Sequence, residues 1–110
     1  LLDQALAMAK QHQLSANTHA LIYNAAGLIY GKNQLFDKSY QYLLNAYQQW
    51  QQVNDYQDMF NMLHSLTEVS IERLDFDLAQ HHIDQMFALA TSQRQFTDFT
   101  FFAMSLENRE

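Results

Sequence analysis

The sequence predicts an all-α fold of antiparallel helical hairpins, about six helices in all. Three observations lead there. The 110 residues contain no proline and only two glycines, which leaves little material for β-turns. Apolar residues recur at spacings of three and four along most of the chain. The breaks between these periodic stretches are short and polar, which favours antiparallel neighbours. Hydrophobic residues make up 48% and aromatic residues 14%, enough for a core and too much for a disordered chain.

The elements follow in order. Leu2, Leu6 and Ala9 mark a first helix that ends near Gln13. Ser15 or Asn17 can cap a second, whose stripe runs Ile22, Tyr23, Ala26, Ile29 and Tyr30 to a break at Gly31-Lys32-Asn33. A third is predicted from about Leu35 to Val53, with Tyr40, Leu43, Leu44, Tyr47 and Trp50 on one face. Asn54 or Asp55 caps a fourth, carrying Met59, Phe60, Leu63, Leu66 and Ile71. After a turn around Leu74 to Phe76, a fifth carries Leu78, Ala79, Ile83, Met86, Phe87 and Ala90. A sixth begins near Gln95 and holds Phe99, Phe102, Ala103 and Leu106.

Gly27 stands inside the second helix, where glycine costs roughly 0.5–1 kcal/mol against alanine. A close crossing by another helix would justify it, so Gly27 is expected to be helical, buried and unkinked. The chain also repeats itself. Residues 54–90 laid under 14–50 place Tyr23 over Leu63, Ala26 over Leu66, Leu43 over Ile83 and Tyr47 over Phe87. The turns agree too: NQLFDKSYQYL (33–43) lies over RLDFDLAQHHI (73–83). At the ends, LDQALAMA (2–9) is similar to IDQMFALA (83–90), and the sixth helix lies under the fourth. The expected organisation is a half-repeat over 1–14, repeats over 15–53 and 54–93, and a half-repeat over 94–110.

Tyr23-x-x-Ala26-Gly27-x-x-Tyr30, followed by Ser39-x-x-x-Leu43-x-x-Ala46, resembles the tetratricopeptide repeat. Gly27, Tyr30 and Ala46 match its pattern, while Ser39 replaces a usual alanine and Leu43 a usual aromatic residue. In the second repeat Thr67, Ser70 and Met86 stand where Gly27, Tyr30 and Ala46 do, and Ala79 restores the small residue. The 40-residue period exceeds the usual 34, which is similar to the longer-helix variety in bacterial regulatory proteins. The resemblance implies an α-α superhelix of hairpins and attachment to a diguanylate cyclase, a kinase or a transcription regulator. It also implies a groove lined by the first helices of successive hairpins. By alignment the groove residues are Leu21, Asn24, Leu28, Asn61, His64, Glu68, Phe101, Met104 and Asn108. The family's basic clamp for a terminal carboxylate is unmatched, Lys32 being the nearest base.

Charge and composition remove several function classes. Six Lys and Arg against twelve Asp and Glu give a net charge of −6, and the basic residues do not cluster. Nucleic-acid binding by this segment is therefore not expected. Absence of cysteine removes disulfides, thiol nucleophiles and thiolate metal sites, and leaves the compartment open with the cytoplasm slightly favoured over the periplasm. No apolar run reaches the length of a membrane span, so no membrane insertion is expected. The opening LLDQALAMAK reads as the middle of a helix, and Phe96, Phe99, Phe101, Phe102 and Met104 leave the sixth helix almost no polar face. Both features lead to the expectation of a piece excised from a longer protein.

Candidate chemistry is thin. His81 and His82, near Asp77 and Asp84, form the one cluster that suggests a metal, but adjacent helical residues point about 100° apart and the plainer reading is surface histidines. Glu68 with Glu72, and Asp55 with Asp58, read as solvated helix faces, Asp55 as a cap. Tyr40, Tyr47 and Trp50 read as core, and the fourteen glutamines as outward-facing. No phosphate loop, nucleophile elbow or triad is present. The expectation is a non-catalytic interaction or sensor module of a bacterial signalling protein, without cofactor, holding a protein or peptide partner. The alternative is a self-association segment, a homodimer formed through exposed terminal helices.

Overall fold

The computed structural model describes residues 4, 5, 7, 8 and 15–93. Four α-helices follow one another: α1 (Ala16–Lys32), α2 (Phe36–Gln52), α3 (Tyr56–Glu72) and α4 (Phe76–Ser92). About six were expected. Of the first, only residues 4, 5, 7 and 8 are described, and these are helical; the sixth lies outside the described residues. Each helix packs on the next in the chain, α1 on α2, α2 on α3 and α3 on α4. The molecule is a slab of 49 × 31 × 17 Å, as consecutive hairpins laid side by side require.

The spacing is strict. All four helices have 17 residues, and they begin twenty residues apart, at 16, 36, 56 and 76. Every link turns on one left-handed residue: Gln34 (φ 61°), Asn54 (φ 55°) and Leu74 (φ 62°). In each link the following amide closes back on the helix: Leu35 N–H to Tyr30 O, Asp55 N–H to Trp50 O and Asp75 N–H to Ser70 O, at 2.9–3.1 Å. This is the six-residue Schellman closure that satisfies the last carbonyls of a helix.

These links correct one expectation and decide between the alternatives in two others. The break at Gly31 does not occur, because α1 runs through Gly31 to Lys32 and the left-handed position falls on Gln34. Asn54 takes the left-handed turn, so the cap of α3 is Asp55, whose carboxylate accepts from Asp58 N–H at 3.1 Å. Ser15, not Asn17, caps α1, accepting from Thr18 N–H at 3.3 Å. Asp75 caps α4 in the same way through Leu78 N–H. Leu35 occupies the equivalent place before α2 and offers no side-chain cap.

The core lies along the α1–α2–α3 seam: Ala20, Tyr40, Leu43, Ala46, Trp50, Met59, Met62, Leu63 and Leu66. Leu43, Leu63 and Leu66 are fully enclosed, each contributing about 1.5–3 kcal/mol by leaving water. Gly27 is buried and helical, as its neighbourhood demands. A Cβ there would sit 2.7 Å from both Cγ and Cδ2 of Leu43. In the second repeat, Thr67 and Ser70 bury hydroxyls, which stay satisfied by donating to Leu63 O (2.8 Å) and Leu66 O (2.7 Å) on their own helix. At the rim of the α1–α2 seam Tyr30 stacks on Tyr42 at 5.4 Å, with the Lys38 ammonium 5.3 Å from the Tyr30 ring centre. Ile29 and Ile71, expected on the inner stripes, stand outward at 46% and 45% exposure. Their helices instead present Ala26, three residues before Ile29, and Thr67, four before Ile71, to the packed side.

Candidate functional site

A groove of about 480 Å³ opens between α1 and α3, the first helices of the two hairpins. Leu28, Gly31 and Lys32 form one wall; Ser65, Glu68, Val69 and Glu72 form the other; Ser39 and Leu43 of α2 close the floor. The groove exists because two glycines lie at the α1–α2 crossing. Gly27 lets Leu43 rise against the α1 backbone, and at Gly31 a Cβ would stand only 3.2 Å from Ser39 Oγ. Lys32 on one wall faces acidic Glu68 and Glu72 on the other, so the groove is polar at its rims and apolar at Leu28, Leu43 and Val69.

Of the expected groove residues, Leu28 and Glu68 line this groove, 40 positions apart on equivalent helices. Asn61, His64 and Glu68 lie along one face of α3, all exposed. His64 Nδ1 contacts Glu68 Oε1 at 2.8 Å, and Asn61 Oδ1 accepts from Gln57 Nε2 at 3.4 Å. On α1, Leu21 and Leu28 are more than half exposed, and Asn24 between them is half-buried with its Oδ1 enclosed and unpartnered. Leu21, Asn24, Asn61 and His64 do not line the groove itself. Phe101, Met104 and Asn108 lie outside the described residues.

Sequence reasoning missed Lys32, Ser65, Val69 and Glu72. Lys32 is one turn beyond Leu28, and Glu72 one turn beyond Glu68, so carrying the two stripes one turn further would have found both.

The histidine pair departs from expectation. His81 is exposed, but His82 is buried at 4% exposure and turned toward α2, where its Nε2 lies 2.8 Å from the Tyr40 hydroxyl. Its Nδ1 lies 2.7 Å from Gln85 Oε1. Arg73 stands against the other side of Tyr40, its guanidinium carbon 5.1 Å from the ring centre, and its Nε pairs with Asp37 Oδ1 at 2.9 Å. Burial pushes the Tyr40 hydroxyl above its usual range, with Arg73 opposing and Asp75 reinforcing the shift. Among the described residues, no three His, Asp or Glu side chains gather as a metal site would need. Asp58 is pushed up first by burial and then by Asp55 beside it.

The fold and groove together define an all-α unit of consecutive antiparallel hairpins, compatible with a tetratricopeptide-like build. No helix among the described residues is long and apolar enough to cross a membrane. Compared with family models, with curated proteins and with solved structures, the chain matches none.

Proposed function

We propose that this chain is a non-catalytic interaction module of tetratricopeptide-like superhelical build, belonging to a bacterial signal-transduction protein. It holds a protein or peptide segment in the groove between α1 and α3. The carrying observation is that Leu28 and Glu68, equivalent positions of two successive hairpins, line one groove with apolar Leu43 at its floor. Such a groove offers a bound segment apolar surface at Leu28 and Val69 and charged rims at Lys32 and Glu72. Burial of apolar groups supplies the affinity, and the rims set orientation. The absence of a catalytic motif in the sequence favours this reading over an enzymatic one.

A random-peptide display selection on the whole chain tests it, with counter-selection on the Leu28→Glu, Glu72→Arg double variant. Peptides that bind wild type and lose at least tenfold on the variant, at unchanged helicity, support the groove. Failure to enrich any peptide, or binding indifferent to both substitutions, overturns it. Sedimentation equilibrium on the same samples addresses the self-association alternative: a dimer insensitive to the groove substitutions would take the groove's place.

A further inference from the structure

A buried polar contact between side chains far apart in the chain ties the two hairpins. Tyr40 on α2 and His82 on α4 sit 42 residues apart and meet at 2.8 Å. With Gln85 Oε1 at 2.7 Å from Nδ1, the His82 proton resides on Nδ1 and Nε2 accepts from the Tyr40 hydroxyl. A neutral imidazole is then satisfied on both nitrogens.

The surroundings are poorly suited to a second proton. From α2 come the Tyr40 hydroxyl and Asp37, the latter already paired with Arg73. The α3–α4 link contributes Arg73, whose guanidinium lies over Tyr40, and Asp75, whose carboxylate caps α4. On α4 itself stand Gln85 and His81, the His81 ring 5.5 Å from that of His82. A proton on Nε2 would remove the acceptor, leave the Tyr40 hydroxyl hydrogen without its partner, and put a positive charge on a buried ring.

We propose that Tyr40 and His82 form a proton-sensitive latch between the hairpins, closed while His82 is neutral and released when Nε2 is protonated. Burial holds His82 below its ordinary value of 6.5, His81 adds to the shift and the Gln85 contact opposes it. The unfolded or released chain therefore binds the proton more readily than the latched one. Latch stability is complete above that ordinary value and is lost as the pH falls through it toward the lowered one. With a single proton involved, the ratio of released to latched protein rises at most about tenfold per pH unit. The latch stands independently of the groove reading.

The chain has no native cysteine, so spin labels on Ala25→Cys and Ala88→Cys, both exposed positions, report the hairpin separation cleanly. Between about pH 7.5 and about pH 5, the range in which histidine switches, the wild-type distance distribution should broaden or lengthen, while the H82Q background should hold its distribution. An equal response in both backgrounds, or none in wild type, overturns the latch. Nuclear magnetic resonance titration of the unsubstituted protein gives a second reading. His82 should titrate below its ordinary value of 6.5, with the Tyr40 ring resonances following the His82 curve. A Tyr40 signal that ignores His82 also overturns the proposal.

Discussion

Ser39 of α2 donates a 2.7 Å hydrogen bond to the backbone carbonyl of Gly27 in α1, and both residues are buried. One turn further along α2, Leu43 fills the space that a Gly27 Cβ would occupy, at 2.7 Å. The first hairpin is thus closed by side chains of one helix resting on the bare backbone of the other.

Gly27→Ala should therefore destabilise, although alanine is the better helix former. Overpacking costs about 1–3 kcal/mol, which outweighs the roughly 1 kcal/mol gain in propensity because enclosed Leu43 has nowhere to move. Urea unfolding followed by circular dichroism measures the difference. A midpoint equal to or above wild type would refute the close crossing. Gly31→Ala should be milder, since its new Cβ meets only Ser39 Oγ, at 3.2 Å.

Ser39→Ala should cost about 0.5–1.5 kcal/mol, the net worth of one hydrogen bond. It leaves no buried donor behind, and Gly27 O keeps its place in the α1 ladder. Double-mutant analysis with Gly27→Ala should show strong coupling, because both changes act on one crossing. Additive losses would mean that the two contacts are independent.

Leu74→Gly should stabilise. Leu74 holds φ 62° with 74% of its surface exposed, so little packing is lost. Relief of left-handed strain, about 1–2 kcal/mol, exceeds the roughly 0.5–1 kcal/mol of extra backbone entropy that glycine brings. A lower thermal midpoint would show that Leu74 packs in solution.

Leu35→Asp should also stabilise, by about 1 kcal/mol. It supplies α2 with the cap that Asp55 and Asp75 give α3 and α4. The corresponding removal, Asp75→Ala, should cost a similar amount. Thermal melts of the two variants should move in opposite directions.

His64→Ala should change stability by less than about 0.5 kcal/mol, the worth of an exposed pair one helical turn apart. His64 and Glu68 are both largely exposed. A larger loss would place His64 in the core and not on the exposed face of α3.

Much of this architecture was legible in the sequence, because helical periodicity and a 40-residue self-similarity report burial directly. Gly27 was the clearest case: an unexplained helix-interior glycine demanded a close neighbour, and Leu43 is that neighbour. The links were harder. No glycine marks Gln34 or Leu74, so the left-handed turns left no compositional trace, and Gly31 drew the break three residues early. His82 escaped because its burial depends on Tyr40, a residue 42 positions away, and no local pattern encodes that contact. The same alignment that matched Leu43 with Ile83 places His82 over Tyr42, a ring half-buried in the first hairpin; that equivalence was the available clue. In the groove, Leu28 and Glu68 followed from the repeat. Lys32 and Glu72 needed the same reasoning carried one turn further.

The twenty-residue interval has a mechanical consequence. Each helix touches chiefly the one before it and the one after it, so among the described residues no strand or long crossover clamps the helices together. Drawn apart by force from residues 15 and 93, the chain should yield in units of one hairpin. Each unit of about 40 residues would release roughly 130–145 Å of contour length. The structure behaves as a short spring of equal coils, with Tyr40 and His82 as the fastening between them.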